Sequence, residues 1–312
     1  MNAMAWWRRL RPLLMAAFLA AAGWLVWRQA RSIEWSAVGE ALAAYPYGLL
    51  LAAALAALLA HACYCGLDLL SRRIVGHGLP WLRTLAIAFV SYAMNLNIGG
   101  TLGGIGFRYR LYARAGVEVK AISRIVAFAI AGNWSGFLLL AGPLFLFAPL
   151  PLPEQWHLAR DAQRLLGGGM VALLLGALAM AAWSPKRRLT WRGHGVELPS
   201  LHHALAQTAI AAASWLAIAN LLHLLLPEGV GYLDALRVLL CSVLANLVIR
   251  VPGNLGVLET VFLGLLAGRA PGAEILAALL AYRALFYIGP LLLALAVYAW
   301  LEARARRGGS RE

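Results

Sequence analysis

Six apolar runs dominate the chain, at roughly 12–28, 47–70, 121–148, 165–183, 204–226 and 272–301. A helix needs about 20 apolar residues to cross a hydrocarbon core ~30 Å thick, so runs of this kind leave little choice beyond a multi-pass bundle. Composition agrees, with 62% of the 312 residues hydrophobic and only 13% charged, against about 25% charged in an ordinary soluble domain. The expectation is an all-α integral membrane protein with one membrane domain, 1–312. Because the first run continues without a small-residue cleavage site, it reads as an uncleaved span.

Two further runs, 84–98 and 235–250, are shorter, only ~22–24 Å long as helices. Each runs straight into backbone breakers, "NIGGTLGGIG" after the first and "RVPGNLGVLE" after the second. Both read as broken, re-entrant elements that leave the membrane on the side they entered. The charges support this. With a cytoplasmic N-terminus, most of the 27 basic residues, among them Arg8, Arg72, Arg188 and Arg306, gather on the cytoplasmic side, as the positive-inside rule asks. If both short elements were full spans, the "RYRLYAR" and "PKRRLTWR" loops would face outward. The net charge of +14 is therefore a topology signal, and no nucleic-acid partner is expected.

The halves 12–148 and 165–301 repeat one order: span, span, short element, span. The offset is about 150 residues, and Asn95-Leu96 falls on Asn246-Leu247. Three crossings per half is an odd number, so the second half enters upside down. Six full spans plus two broken elements then form an inverted internal repeat, the plan of secondary transporters in which broken helices meet near the midplane.

Non-helical backbone inside a bilayer is tolerated only where it is buried in protein or lines a watery cavity. The glycines at 99, 100, 103, 104 and 106 permit such a turn. Arg108 and Arg110 follow it as guanidinium forks suited to phosphate, and Asp68 is a counter-charge for either. In the second half Arg250, Gly253, Gly256 and Glu259 surround the break, and Arg283 lies in the last span. Ionisable residues at membrane depth are rare and usually functional; the alternative is a set of structural salt bridges. Three charges in one cavity would leave a positive surplus for an anionic head group. Cys63, Cys65 and Cys241 all sit in apolar stretches, and neither disulfides nor a metal site is expected. With no GK[ST], HExxH or Ser/His/Asp set in view, no cofactor and no enzyme activity are expected.

"GGIGFRYRLYARAG" (Gly103 to Gly116) and "VPGNLGVLE" (Val251 to Glu259) resemble the two signature segments of the lysylphosphatidylglycerol synthase transmembrane-region family. The resemblance implies a bacterial inner-membrane protein that moves a lipid between leaflets; the charge distribution adds that both termini are cytoplasmic, and the arginines that the lipid is a phospholipid or other anionic lipid. Carried over, it points to Arg108, Arg110, Pro252, Gly253, Gly256 and Glu259. The soluble transferase domain of full-length relatives does not follow here before Glu312, so lipid aminoacylation is not expected. An ion-coupled small-molecule transporter and a non-catalytic envelope scaffold are the alternatives, and homo-oligomerisation stays open.

Overall fold

The computed structural model describes residues 36, 39, 40, 43–149, 160–183, 188–191, 194–197, 199–249 and 252–309. The expected span at 12–28 and Arg250 lie outside the described residues. Among the described residues five helices are long and apolar enough to cross a membrane: α1 (Tyr47–Val75), α4 (Val119–Phe147), α5 (Arg160–Trp183), α6 (Leu201–Leu225) and the stretch Gly272–Leu301. They fall on the other five expected runs. One amendment to an all-α chain is a small antiparallel hairpin between α5 and α6, β1 (Arg188–Trp191) and β2 (His194–Glu197). Thr190 and Trp191 are β-formers in a polar connection too short for another span.

Helices in lipid gain little from burying apolar surface against one another, so close packing of small residues holds them together. On α1 the stripe Ala53, Ala56, Ala57 and Ala60 is buried, and α1 lies antiparallel to α6. Ser214 Oγ donates to the Ala60 carbonyl at 3.0 Å, and Tyr45 OH to the Leu225 carbonyl at 2.7 Å. On α4, a side chain at Gly136 would overlap Ala211 of α6, and one at Gly142 would overlap Val171 of α5. The outward leucines Leu51, Leu55, Leu58, Leu173, Leu175 and Leu292 remain exposed, as a lipid-facing surface requires.

The first short element is helix α2 (Trp81–Ile98), a π-helical turn Gly100–Gly106, and helix α3 (Phe107–Arg114). Gly99 breaks α2 with φ +104. The chain then doubles back so tightly that a Cβ on Gly103 would overlap the Met94 carbonyl, and one on Gly104 would press on the Asn95 side chain. Only glycine fits such a backbone approach. Residues 75–79 and 115–118 border one surface pocket, with the His77 ring edge-on to Tyr112, centroids 5.6 Å apart. The element therefore enters and leaves at the C-terminal end of α1.

The second is helix α7 (Tyr232–Ile249), a turn at Pro252–Asn254, and helix α8 (Val257–Leu265). Gly253, Asn254 and Gly256 take φ of +66, +55 and +78, the left-handed region that glycine and asparagine tolerate best. Its two arms are joined at the base by Arg269 and Asp234, 2.6 Å apart, beside the C-terminal end of α6. Helix α9 (Gly272–Arg283), a π-helical turn Ala284–Ile288 and helix α10 (Gly289–Gly309) complete the chain. Since α1 and α6 run antiparallel, the two broken elements are rooted at opposite ends of that pair, and their tips touch. Asn97 Nδ2 of the first donates to the Tyr287 carbonyl at 3.3 Å, and its own carbonyl faces Gly253 of the second.

Candidate functional site: a cavity between two clamped tips

An arginine fixes each broken element. Arg108 is 4% exposed and Asp68 not at all. Arg108 Nε reaches Asp68 Oδ2 at 3.1 Å and Nη2 reaches Oδ1 at 2.9 Å, while Nη1 donates to the Gly104 carbonyl at 3.4 Å. Tyr112 OH donates to the same carboxylate at 3.0 Å. A fork on a carboxylate is the geometry in which an arginine pair compensates its own burial. In this conformation Arg108 is spent on the fold and is closed to a head group.

Arg110 goes elsewhere. Two residues apart on a helix means about 200° around the axis, so Arg110 is exposed and sits over the Tyr298 ring at 5.6 Å. The two forks do not converge on one phosphate. Asp68 pairs with Arg108 of the two.

In the second half Arg283 Nε donates to Glu259 Oε1 at 2.7 Å. Its Nη1 and Nη2 donate to the Gly253 and Asn254 carbonyls at 3.0 and 3.1 Å, so one side chain holds the whole turn. Glu259 Oε2 accepts from the Gly256 amide at 2.8 Å, capping α8; with glycine at the cap position only this half of a capping box exists. Arg108 and Glu259 stand 151 residues apart, the spacing of Asn95 and Asn246. The two clamps thus contain charges of opposite sign at that same spacing. The described part of the expected three-charge cluster is the neutral pair Glu259 and Arg283, since Arg250 lies outside the described residues.

Between the tips lies a cavity of about 240 Å³. Asn95, Gly99 and Gly100 line it from the first element, and Asn246, Gly253 and Asn254 from the second. Tyr92, Trp215, Tyr282, Phe286 and Tyr287 form aromatic walls. Neither Arg283 nor Glu259 faces it; they brace the turn from behind. The asparagines are the residues that sequence reasoning left out of the site, although the register of Asn95 on Asn246 pointed to them. At the root of the first element, outside the spans, burial and the nearby Arg72 hold the His77 imidazole below its ordinary pKa.

Residues 14–294 match the family described as the lysylphosphatidylglycerol synthase TM region. The chain is 37% identical over 302 residues to "Inner membrane protein YbhN" of Escherichia coli, covering 96% of this chain and 95% of that protein. It is 22% identical over 222 residues to the "Phosphatidylglycerol lysyltransferase" of Staphylococcus haemolyticus, 70% of this chain and 25% of that much longer protein. With the match running through both broken elements and nearly every helix between them, this chain is a membrane protein of the lysylphosphatidylglycerol synthase transmembrane-region family.

Proposed function

We propose that the protein moves a lipid between the leaflets of a bacterial inner membrane, its polar head group passing through the cavity between the two broken tips while the acyl chains stay in lipid. One observation carries this reading. Two broken helices, rooted at opposite ends of the α1–α6 pair, meet tip to tip at Asn97 and Gly253 around a cavity with three asparagines in its lining. Irregular backbone at that depth is affordable only where it serves a cavity, and paired broken helices mark substrate sites in transporters.

In this reading the order α1, α2/α3, α4 is repeated upside down by α6, α7/α8, α9/α10, with α5 matching the run at 12–28, giving six spans and two re-entrant elements. Both termini face the cytoplasm. The lipid is anionic: Arg250 directly follows α7 in the sequence, and the lysyltransferase relative is named for a phosphatidylglycerol. The role is transport rather than catalysis.

Reporter fusions after Arg188 and Arg306 are expected to read cytoplasmic, and one after Glu228 periplasmic; a periplasmic signal at Arg188 would undo the inverted repeat. Transport is tested in proteoliposomes carrying a fluorescent phospholipid and an impermeant quencher outside. Protein should expose inner-leaflet label that protein-free vesicles keep protected, whereas equal protection in both would sink the translocation reading.

A further inference from the structure

The hydrogen-bonding inventory of the cavity narrows what it holds. Asn95, Asn246 and Asn254 line it, and none of these three side chains makes a hydrogen bond within the described residues. The Oδ1 atoms of Asn246 and Asn254 are buried and unpartnered. An unmet buried polar group costs about 1–3 kcal/mol, and two such oxygens belong to residues lining this one cavity, one of them on Asn246, the position that matches Asn95. Among the described residues no Arg, Lys, Asp or Glu lines the cavity.

Three kinds of head group can be set against that lining. A phosphate accepts only; it would use the amide N–H groups, strand the oxygens, and find no cation among the described lining residues. An ammonium donates only; it would use the oxygens and strand every amide N–H. A hydroxyl both donates and accepts, as a carboxamide does, so the two match whichever way the amide is turned. The aromatic walls supply apolar faces for the carbon skeleton of such a group. The volume of about 240 Å³ equals about eight waters at ~30 Å³ each, room for a glycerol or one sugar ring.

We propose that this cavity binds the uncharged, polyhydroxyl end of the head group, a glycerol or a single glycosyl unit, and that the lipid's phosphate is not held by its lining while that end is bound. This rests on the cavity being the head-group site argued above, but it requires binding only. The full chain in phosphatidylcholine nanodiscs is titrated with four eight-carbon probes: monooctanoylglycerol, octyl β-glucoside, octyl phosphate and octyltrimethylammonium. Bound probe is counted by native mass spectrometry. Both hydroxylated probes should bind at one site, and Asn246→Leu should weaken them at least tenfold. Asn254→Gly, which keeps the left-handed turn and removes only the amide, should weaken them similarly with unchanged thermal unfolding. Glucoside alone would assign a glycosyl group, monooctanoylglycerol alone a glycerol. The proposal is overturned if octyl phosphate or octyltrimethylammonium binds more tightly in a manner sensitive to these variants, or if the hydroxylated probes bind all three proteins alike. Binding without lipid movement in vesicles would remove translocation and leave this assignment standing; lipid movement with variant-insensitive probes would do the reverse.

Discussion

Asp68→Asn is expected to lower the stability of the protein by about 3–5 kcal/mol, the usual cost of stranding one partner of a buried ion pair. The carboxylate binds Arg108 through two nitrogens and also accepts from Tyr112. Without its charge, the guanidinium has neither a counter-ion nor water. Changing both partners, Asp68→Leu with Arg108→Met, should recover most of the loss, because apolar replacement of a whole buried pair is often neutral or better. Asp161→Asn is the control. Asp161 and Arg164 are 92% and 52% exposed, and its effect should stay within about 1 kcal/mol. Thermal unfolding of the four proteins decides. If Asp68→Asn unfolds no earlier than Asp161→Asn, Arg108 is not fixed on Asp68 and returns as a ligand for the head group.

Arg283→Gln should reduce lipid movement by at least about tenfold, since losing charge-assisted bonds worth about 1.5–3 kcal/mol apiece releases the carbonyls of Gly253 and Asn254 along with Glu259. The cavity wall formed by that turn then has nothing to hold it. Arg283→Lys should rescue only in part, because one ammonium cannot span three acceptors in a fixed plane. Glu259→Gln should be milder, as its amide oxygen still serves the Gly256 N–H. Quencher assays in proteoliposomes, read beside thermal unfolding, give the ranking. Equal loss from the Gln and Lys variants would mean that the fork geometry is irrelevant.

The long helices were legible because hydrophobicity over about 20 residues has few other meanings. Both breaks were legible because glycine and proline act locally, wherever the chain packs. The first helix of each short element is 18 residues long, beginning at Trp81 and Tyr232 rather than near 84 and 235, since Arg83 and Asp234 interrupt the apolar run in the first turn. Arg108 and Arg110 as a joint hook ignored helical periodicity, which already separates such a pair. The hairpin at β1 and β2 was hidden inside a basic connection. The cavity walls were the least legible part, for an asparagine on a helix reads as interhelical glue until its repeat partner is seen across a meeting of two tips. That meeting depends on packing far apart in sequence, as between Asn97 and Gly253.

A lipid with a photoreactive group on its head, incorporated in nanodiscs with the protein and irradiated, would report directly where the head group sits. Mass spectrometric mapping should place adducts on the peptides carrying Tyr92 to Gly100 and Asn246 to Leu258, and Asn246→Leu should diminish them. Adducts confined to the outward faces of α1, α5 and α10, at the same level in both proteins, would contradict a head-group site between the broken helices.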